Sequence, residues 1–147
     1  MYNEEFDNLK TKMLKYIMYK KRTEKEIRQK FSNVEEQMVD EAIEYLKEAG
    51  YINDLNYIER AMQDYININT LSIKEIKYKL MSKGIDNKLI ENYIYKNIEI
   101  LQEYEEMSAQ KIYNKKVNTM EKIEIYSFLR KKGYREDSIK FIKEQEK

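Results

Sequence analysis

Ser72-Ile73-Lys74-Glu75-Ile76-Lys77-Tyr78-Lys79-Leu80-Met81-Ser82-Lys83-Gly84-Ile85 holds one complete helix with its start and stop signals written out. Ser72 with Glu75 is a capping box: the serine side chain bonds a free amide of the first turn, and the glutamate reaches back to the serine amide. Gly84 stands four residues after Leu80 and one before Ile85, as in a helix closed by a Schellman turn. Glycine takes the left-handed position after the cap at no steric cost, and the next apolar residue packs back on the leucine. The same stop recurs at Leu46, Gly50 and Tyr51, and at Leu129, Gly133 and Tyr134. These are the only three glycines and there is no proline, so the chain spends its breakers on ending helices.

A second capping box, Thr23-Glu24-Lys25-Glu26, lies 49 residues before the first. At that spacing Glu26-Ile27 with Phe31, Glu75-Ile76 with Leu80, and Glu124-Ile125 with Leu129 superpose. Gly84 and Gly133 are then equivalent stops, whereas Gly50, 34 residues before Gly84, is out of phase and closes a different helix. Apolar residues recur at helical spacing almost throughout, with no alternating strand pattern.

The first cycle predicts a helix from about Asn3 to Lys20, with Phe6, Leu9, Met13 and Ile17 inward. A short helix follows from Thr23 to near Phe31, then one capped within Ser32-Asn33-Val34-Glu35 and running through Val34, Met38, Ala42 and Leu46 to Gly50. In the second cycle Asn53-Asp54 caps a helix with Ile58, Ala61, Met62, Tyr65 and Ile66 inward. The Ser72 helix comes next, and Asp86 caps one carrying Leu89, Ile90, Tyr93 and Ile94. The third cycle has a long helix from about Asn97 to Tyr113, one from about Thr119 to Gly133, and a last one through Ile139 and Ile142. The expected fold class is all-α: three tandem three-helix, helix-turn-helix-like repeats at 1–52, 53–96 and 97–147. Each is too small to hold a core alone, so they stack into an elongated, curved array.

Composition narrows the function. Charged residues make up 37% of the chain, but 41% hydrophobic residues and 14 tyrosines argue against disorder. Cysteine is absent, which removes disulfide frameworks and thiolate metal sites. Histidine is absent as well, and with it the commonest general base and the usual partner of a serine nucleophile. The carboxylate pairs Glu35-Glu36 and Glu105-Glu106 are adjacent on helices, pointing about 100° apart, and read as solvated faces. Three isolated glycines make no phosphate loop. No enzyme is expected, and no catalytic, cofactor-binding or metal-binding residue. No apolar run approaches the ~20 residues that span a bilayer. The stretch Met1-Tyr2-Asn3-Glu4-Glu5-Phe6-Asp7 is acidic and lacks a signal-peptide core, so a soluble cytoplasmic protein without membrane contact is expected.

A net charge of +1 hides strong segregation. Residues 10–30 carry nine basic and two acidic side chains, and residues 35–64 carry two basic and nine acidic ones. Residues 74–88 come to +3, 91–106 to −4 and 111–147 to +5. A groove-reading helix should present Arg, Lys, Asn or Gln in a basic field. The third helix of the first repeat instead carries Glu35, Glu36, Asp40, Glu41, Glu44 and Glu48 against Lys47 alone. A tandem helix-turn-helix nucleic-acid-binding or transcription-related protein is therefore the alternative, and a helical adaptor for another partner a third reading. Positive charge lies on the middle helices and their turns, where Lys20, Lys21, Arg22, Lys74, Lys77, Arg130, Lys131 and Lys132 are the candidate partner contacts. Helix C-termini favour cations, which accounts for much of 130–132, but Lys20-Lys21-Arg22 precedes a helix N-terminus, where the dipole disfavours it. Tyr51, Tyr57, Tyr65, Tyr93 and Tyr134 fall on turn or inward positions and read as core.

Four segments resemble the RecX family, whose members regulate the RecA recombinase. Tyr45-Leu46-Lys47-Glu48-Ala49-Gly50-Tyr51-Ile52-Asn53-Asp54 with Tyr57 resembles its central signature. Arg22-Thr23-Glu24-Lys25-Glu26-Ile27 is similar to its basic-Ser-x-x-Glu-Leu segment, and Ile76 to Ile85 to the helix that follows. Phe128-Leu129-Arg130-Lys131-Lys132-Gly133-Tyr134 with Ile139 is similar to its Phe-Leu-x-x-Arg-Gly-Phe motif. Ile58, Tyr65 and Asn69-Thr70-Leu71 depart from the family's alanine, arginine and glycine-rich stretch. The resemblance implies a non-enzymatic monomer without cofactor that lies in the groove of the RecA–single-stranded DNA filament. It implies limits on filament growth, ATP hydrolysis and strand exchange, with single- or double-stranded DNA as a non-specific further partner.

Overall fold

The structure, a computed structural model, describes residues 3–146. Met1 and Tyr2 of the acidic N-terminal stretch, and Lys147 at the end of the third expected repeat, lie outside the described residues. Those described form nine α-helices and no strand: α1 Glu4–Tyr19, α2 Glu24–Lys30, α3 Glu36–Glu48, α4 Asp54–Ile68, α5 Ile73–Ser82, α6 Asn87–Lys96, α7 Ile98–Lys116, α8 Lys122–Lys132 and α9 Glu136–Gln145.

Local chemistry accounts for many of the helix ends. The Asn3 and Asn53 side chains accept from the Phe6 and Asn56 amides at 3.1 and 3.0 Å, capping α1 and α4. Both capping boxes form, at Thr23 with Glu26 and at Ser72 with Glu75. All three glycines are left-handed, with φ of 85°, 86° and 98°. At Gly50 both Schellman bonds are made, Tyr51 amide to Leu46 carbonyl at 2.8 Å and Gly50 amide to Lys47 carbonyl at 3.0 Å. Gly133 repeats the pair, with Tyr134 to Leu129 and Gly133 to Arg130, each at 3.0 Å.

Several expected details are corrected. Ser32 and Asn33 do not cap α3, because they are absorbed in the closing turn of α2, where the Ser32 amide bonds Gln29 and the Val34 amide bonds Phe31. The N-cap of α3 is Glu35, with no side-chain bond. Asp86 is the N-cap of α6 but its side chain makes no capping bond. Thr119 does not open α8: its hydroxyl bonds the Lys116 carbonyl at 3.3 Å, so it finishes a longer α7, and α8 starts after Glu121. Tyr51 is 45% exposed rather than core, and Ile52 takes the buried place beside Leu46. Asn69 adopts the left-handed conformation, φ 61°, that ends α4. Asparagine tolerates that region better than most side chains, so it can stand at a helix stop without glycine.

Buried side chains gather in three clusters. The first joins Phe6, Leu9, Met13 and Ile17 of α1 to Ile27, Phe31, Val39, Ala42, Ile43, Leu46 and Ile52. The middle cluster draws on α4, α5, Ile85 and α6, and is completed by Leu101 and Tyr104 from α7. The last contains Ala109, Ile112 and Tyr113 of α7 with residues of α8 and α9. One helix thus serves two cores. Only Asn97 separates α6 from α7, ending one and starting the other.

Candidate partner-binding face and the joints that build it

The middle helices α2, α5 and α8 meet end to end. Thr23 at the start of α2 accepts from the Glu26 amide at 3.1 Å and donates its hydroxyl proton to the Lys83 carbonyl, at the end of α5, at 2.7 Å. Ser72 at the start of α5 accepts from Glu75 at 3.1 Å and donates to the Lys132 carbonyl, at the end of α8, at 2.8 Å. Both residues are fully buried. The capping-box glutamates cross the same gaps, Glu26 to Lys83 at 3.6 Å and Glu75 to Lys132 at 3.1 Å. Each junction sets the positive end of one helix dipole against the negative end of another, which stabilises both. The glycines have a second role here. A Cβ on Gly84 would lie 2.1–2.7 Å from the Lys25 stem, and one on Gly133 would lie 3.0 Å from that of Lys74.

A carboxylate completes each joint by accepting a first-turn amide. Asp54 accepts from Glu24 at 3.0 Å, and Glu105 from Ile73 at 2.9 Å. There the likeness stops. Glu105 is 0% exposed and also accepts from the Arg135 amide at 3.0 Å, the Arg135 guanidinium at 2.9 Å and the Ser138 hydroxyl at 2.7 Å. It is no solvated face, as its adjacency to Glu106 implied. An ionised carboxylate tolerates burial only with such a set of partners. Beside it the Tyr104 hydroxyl donates to the Leu71 carbonyl at 2.7 Å, and Ser108 bonds the Asn69 carbonyl at 3.1 Å and the Tyr134 hydroxyl at 2.7 Å.

The eight candidate contacts divide by their partners. Lys77 pairs with Glu91 at 2.9 Å, Arg130 with Glu136 at 2.6 and 3.2 Å, and Lys132 is held in the second joint by Glu75. Hydrogen bonds from Lys77 and Arg130 hold the Glu91 and Glu136 carboxyls below their ordinary values. Arg22 is half-buried, its guanidinium 4.1 Å over the Tyr16 ring, and its Nε is buried without a hydrogen-bond partner. Lys74 lays its stem on Gly133 with its ammonium 5.9 Å from the Tyr78 ring. Lys20, Lys21, Lys74 and Lys131 make no ion pair with any described residue.

Two groups result, Lys20-Lys21 in the turn before α2 and Lys74 with Lys131 beside the second joint. Lys20 and Lys21 share a shallow groove with Tyr57, Arg60, Gln63 and Asp64 of α4. Arg60, within the predominantly acidic segment 35–64, was not among the candidates from sequence; it stands four residues before Asp64, at the spacing of a helical ion pair. That pair does not form.

On the acidic side, α3 is tied back to α2: Arg28 pairs with Glu24 and Asp40, and Lys47 with Glu24. Burial pushes the Glu24 carboxyl up, but the hydrogen bonds from Lys47 and Arg28 outweigh it and hold the group below its ordinary value. Burial raises Asp54, and the Glu24 amide bond offsets only part of that.

Fold and surface together define an all-α repeat protein that presents unneutralised cations at its joints. Among the described residues no group of carboxylates is placed to hold a metal ion, and no helix is long and apolar enough to cross a membrane. The chain is 32% identical over 139 residues to the regulatory protein RecX of Finegoldia magna, covering 88% of this chain and 67% of that protein. It is 31% identical over 140 residues to the RecX of Clostridium botulinum strain Eklund 17B, covering 88% and 64%. The fold superposes on the crystal structure of RecX from Lactobacillus salivarius with a TM-score of 0.81 at 26% identity, over 97% of this chain and 96% of that one. A second crystal structure of regulatory protein RecX matches at 0.80 and 23%, over 96% and 74%. No family model matches. The chain belongs to the RecX family, and spans just under two thirds, 64%, of the length of the first curated relatives it matches.

Proposed function

We propose that this chain regulates a RecA recombinase by binding the RecA–single-stranded DNA filament and restraining its extension, ATP hydrolysis and strand exchange. Its relatives are regulatory proteins by name, which supports the class of activity. One observation supports the placement of the contact: of the eight candidate cations, Lys20, Lys21, Lys74 and Lys131 make no ion pair with any described residue, whereas Lys77, Arg130 and Lys132 are paired. Lys77 and Arg130 stand in exposed ion pairs, which contribute only about 0–1 kcal/mol and exchange readily for a partner's anions. Lys132 and Arg22 act more as structure than as contact. The repeats at 1–52, 53–96 and 97–147 are units of this binding face, and the protein works as a soluble cytoplasmic monomer without chemistry or cofactor of its own.

The test is RecA ATPase on single-stranded DNA, with this chain and with its Lys20→Glu/Lys21→Glu/Lys74→Glu/Lys131→Glu variant. The parent chain lowers ATP turnover, and the variant, with unchanged helicity, needs at least about tenfold more protein for the same effect, because charge complementarity drives association. No effect of the parent at molar excess overturns the function. Equal potency of the variant overturns the placement.

A further inference from the structure

We propose that the groove between the end of α4 and the outer face of α7 docks an extended, acidic peptide segment of a protein partner. The groove is shallow, about 400 Å³, and is lined by Asn69, Met107, Gln110, Lys111, Asn114 and Lys115. Positions 107, 110, 111 and 114 share one face of α7 at helical spacing. Asn69, which closes α4, is held alongside by the Ser108 hydroxyl on its carbonyl at 3.1 Å, and Lys111 donates to the Ile68 carbonyl at 3.2 Å.

Unmet hydrogen-bonding capacity points to a ligand here. Among the described residues three buried side-chain polar atoms lack a hydrogen-bond partner, and two of them, Asn69 Oδ1 and Gln110 Oε1, belong to this one groove. Both are carbonyl oxygens, so both call for a donor. The Gln110 amide cannot turn over to satisfy itself, because its Nε2 already donates to Asn114 Oδ1 at 2.9 Å. A buried acceptor without a donor destabilises the free chain, and native proteins leave few. Asn69 is also, among the described residues, the one non-glycine residue with positive φ, 61°. Glycine would take that backbone without strain and without the unmet oxygen, and such positions cluster at ligand sites.

The surroundings choose the occupant. An extended peptide offers an N–H donor at nearly every residue, whereas a phosphodiester backbone offers acceptors alone. Met107 and Ile68 are 57% and 56% exposed and give the segment's apolar side chains a surface, methionine adapting readily to varied shapes. Two lysines and no carboxylate line the groove, and residues 111–147 carry a net +5, so the complementary segment is acidic. None of these residues is among the eight candidate filament contacts, so the proposal stands apart from that reading and its test omits recombinase.

The probe is a random twelve-residue peptide library displayed on phage and selected on the whole chain, followed by fluorescence anisotropy of an enriched peptide made synthetically. Acidic sequences interspersed with apolar residues are enriched. Asn69→Gly/Gln110→Leu removes both oxygens while glycine keeps the left-handed turn, and it binds that peptide at least about tenfold more weakly, two hydrogen bonds being lost. The same variant melts no lower than the parent, because it sheds two unmet acceptors. Replacing single backbone amides of the peptide by esters, which deletes an N–H, weakens binding to the parent several-fold at one or two positions and has no effect there on binding to the variant. The exposed control Lys79→Ala/Lys88→Ala stays within about twofold. No enrichment, enrichment of basic sequences, or equal binding by parent and variant overturns the proposal. A lower melting temperature of the variant shows that water already satisfies the two oxygens inside the free chain, and overturns it as well. Displacement of the peptide by a thymidine strand more readily than by unlabelled peptide makes the groove a strand contact and overturns its assignment to a peptide.

Discussion

Glu105 accepts four hydrogen bonds, from the start of α5, from the turn before α9 and from α9 itself, with no exposure to solvent. Removing it would strand the Ile73 and Arg135 amides, the Ser138 hydroxyl and a guanidinium that is 29% exposed. A buried charge left without its partner costs roughly 3–5 kcal/mol, and the partial exposure of Arg135 puts Glu105→Ala near the lower end. Glu106, its neighbour, appears in no hydrogen bond or ion pair of the described residues, and Glu106→Ala should change stability by less than about 0.5 kcal/mol. Urea unfolding of the two variants reads the difference directly. A Glu105→Ala protein as stable as the Glu106→Ala one would mean that water replaces the network at no cost. Two adjacent glutamates with one sequence signature therefore have opposite roles, and only the packing of distant helices separates them.

At the scale of the element, the three glycine stops share a backbone conformation and differ in what lies beside them. Alanine at Gly50, φ 85°, would meet nothing within 4 Å, so the substitution carries only the left-handed strain of about 1–2 kcal/mol. Gly84→Ala carries the same strain and also drives a methyl into the Lys25 stem at 2.1–2.7 Å, including its Cβ, which cannot swing away without moving α2. Thermal unfolding should rank Gly84→Ala clearly below Gly50→Ala, with Gly133→Ala, whose contacts are at 3.0–3.2 Å, between them. Equal melting temperatures for all three would remove the close-approach role. The helix signals themselves were legible, because caps and Schellman turns are local and the 49-residue phase repeats them. What those signals could not carry is the hydroxyl of each cap donating across to a helix end 60 residues away. Ser32, Asp86 and Thr119 show the converse: a cap-forming residue in sequence makes no cap where the preceding helix has already taken it up or the side chain turns elsewhere. The candidate cations were legible as charges, but whether a charge is neutralised depends on helices brought alongside in space, as Lys77 with Glu91 and the free Arg60 illustrate.

In the whole molecule the two joints are built alike and fastened unequally. Across the second, α7 contributes to both adjoining cores, α6 runs into α7 at Asn97, and Glu105, Tyr104 and Ser108 bind both sides. Across the first no helix is shared: the buried cluster of α1–α3 ends at Ile52 and the next begins at Ile58. Its fastenings are the Thr23 hydroxyl, the Asp54 carboxylate and a Glu26–Lys83 pair at 3.6 Å. Units held by a few polar contacts move as rigid bodies on the microsecond-to-millisecond scale, whereas a shared core resists opening. The α1–α3 segment should therefore swing about Thr23 while α4–α9 move as one. The chain has no cysteine, so spin labels at Gln37→Cys, Asn92→Cys and Lys140→Cys, all exposed, report without interference. Electron–electron distance measurements should give a broader distribution for 37–92 than for 92–140, and Thr23→Val should broaden only the first. Equal widths would show a rigid array.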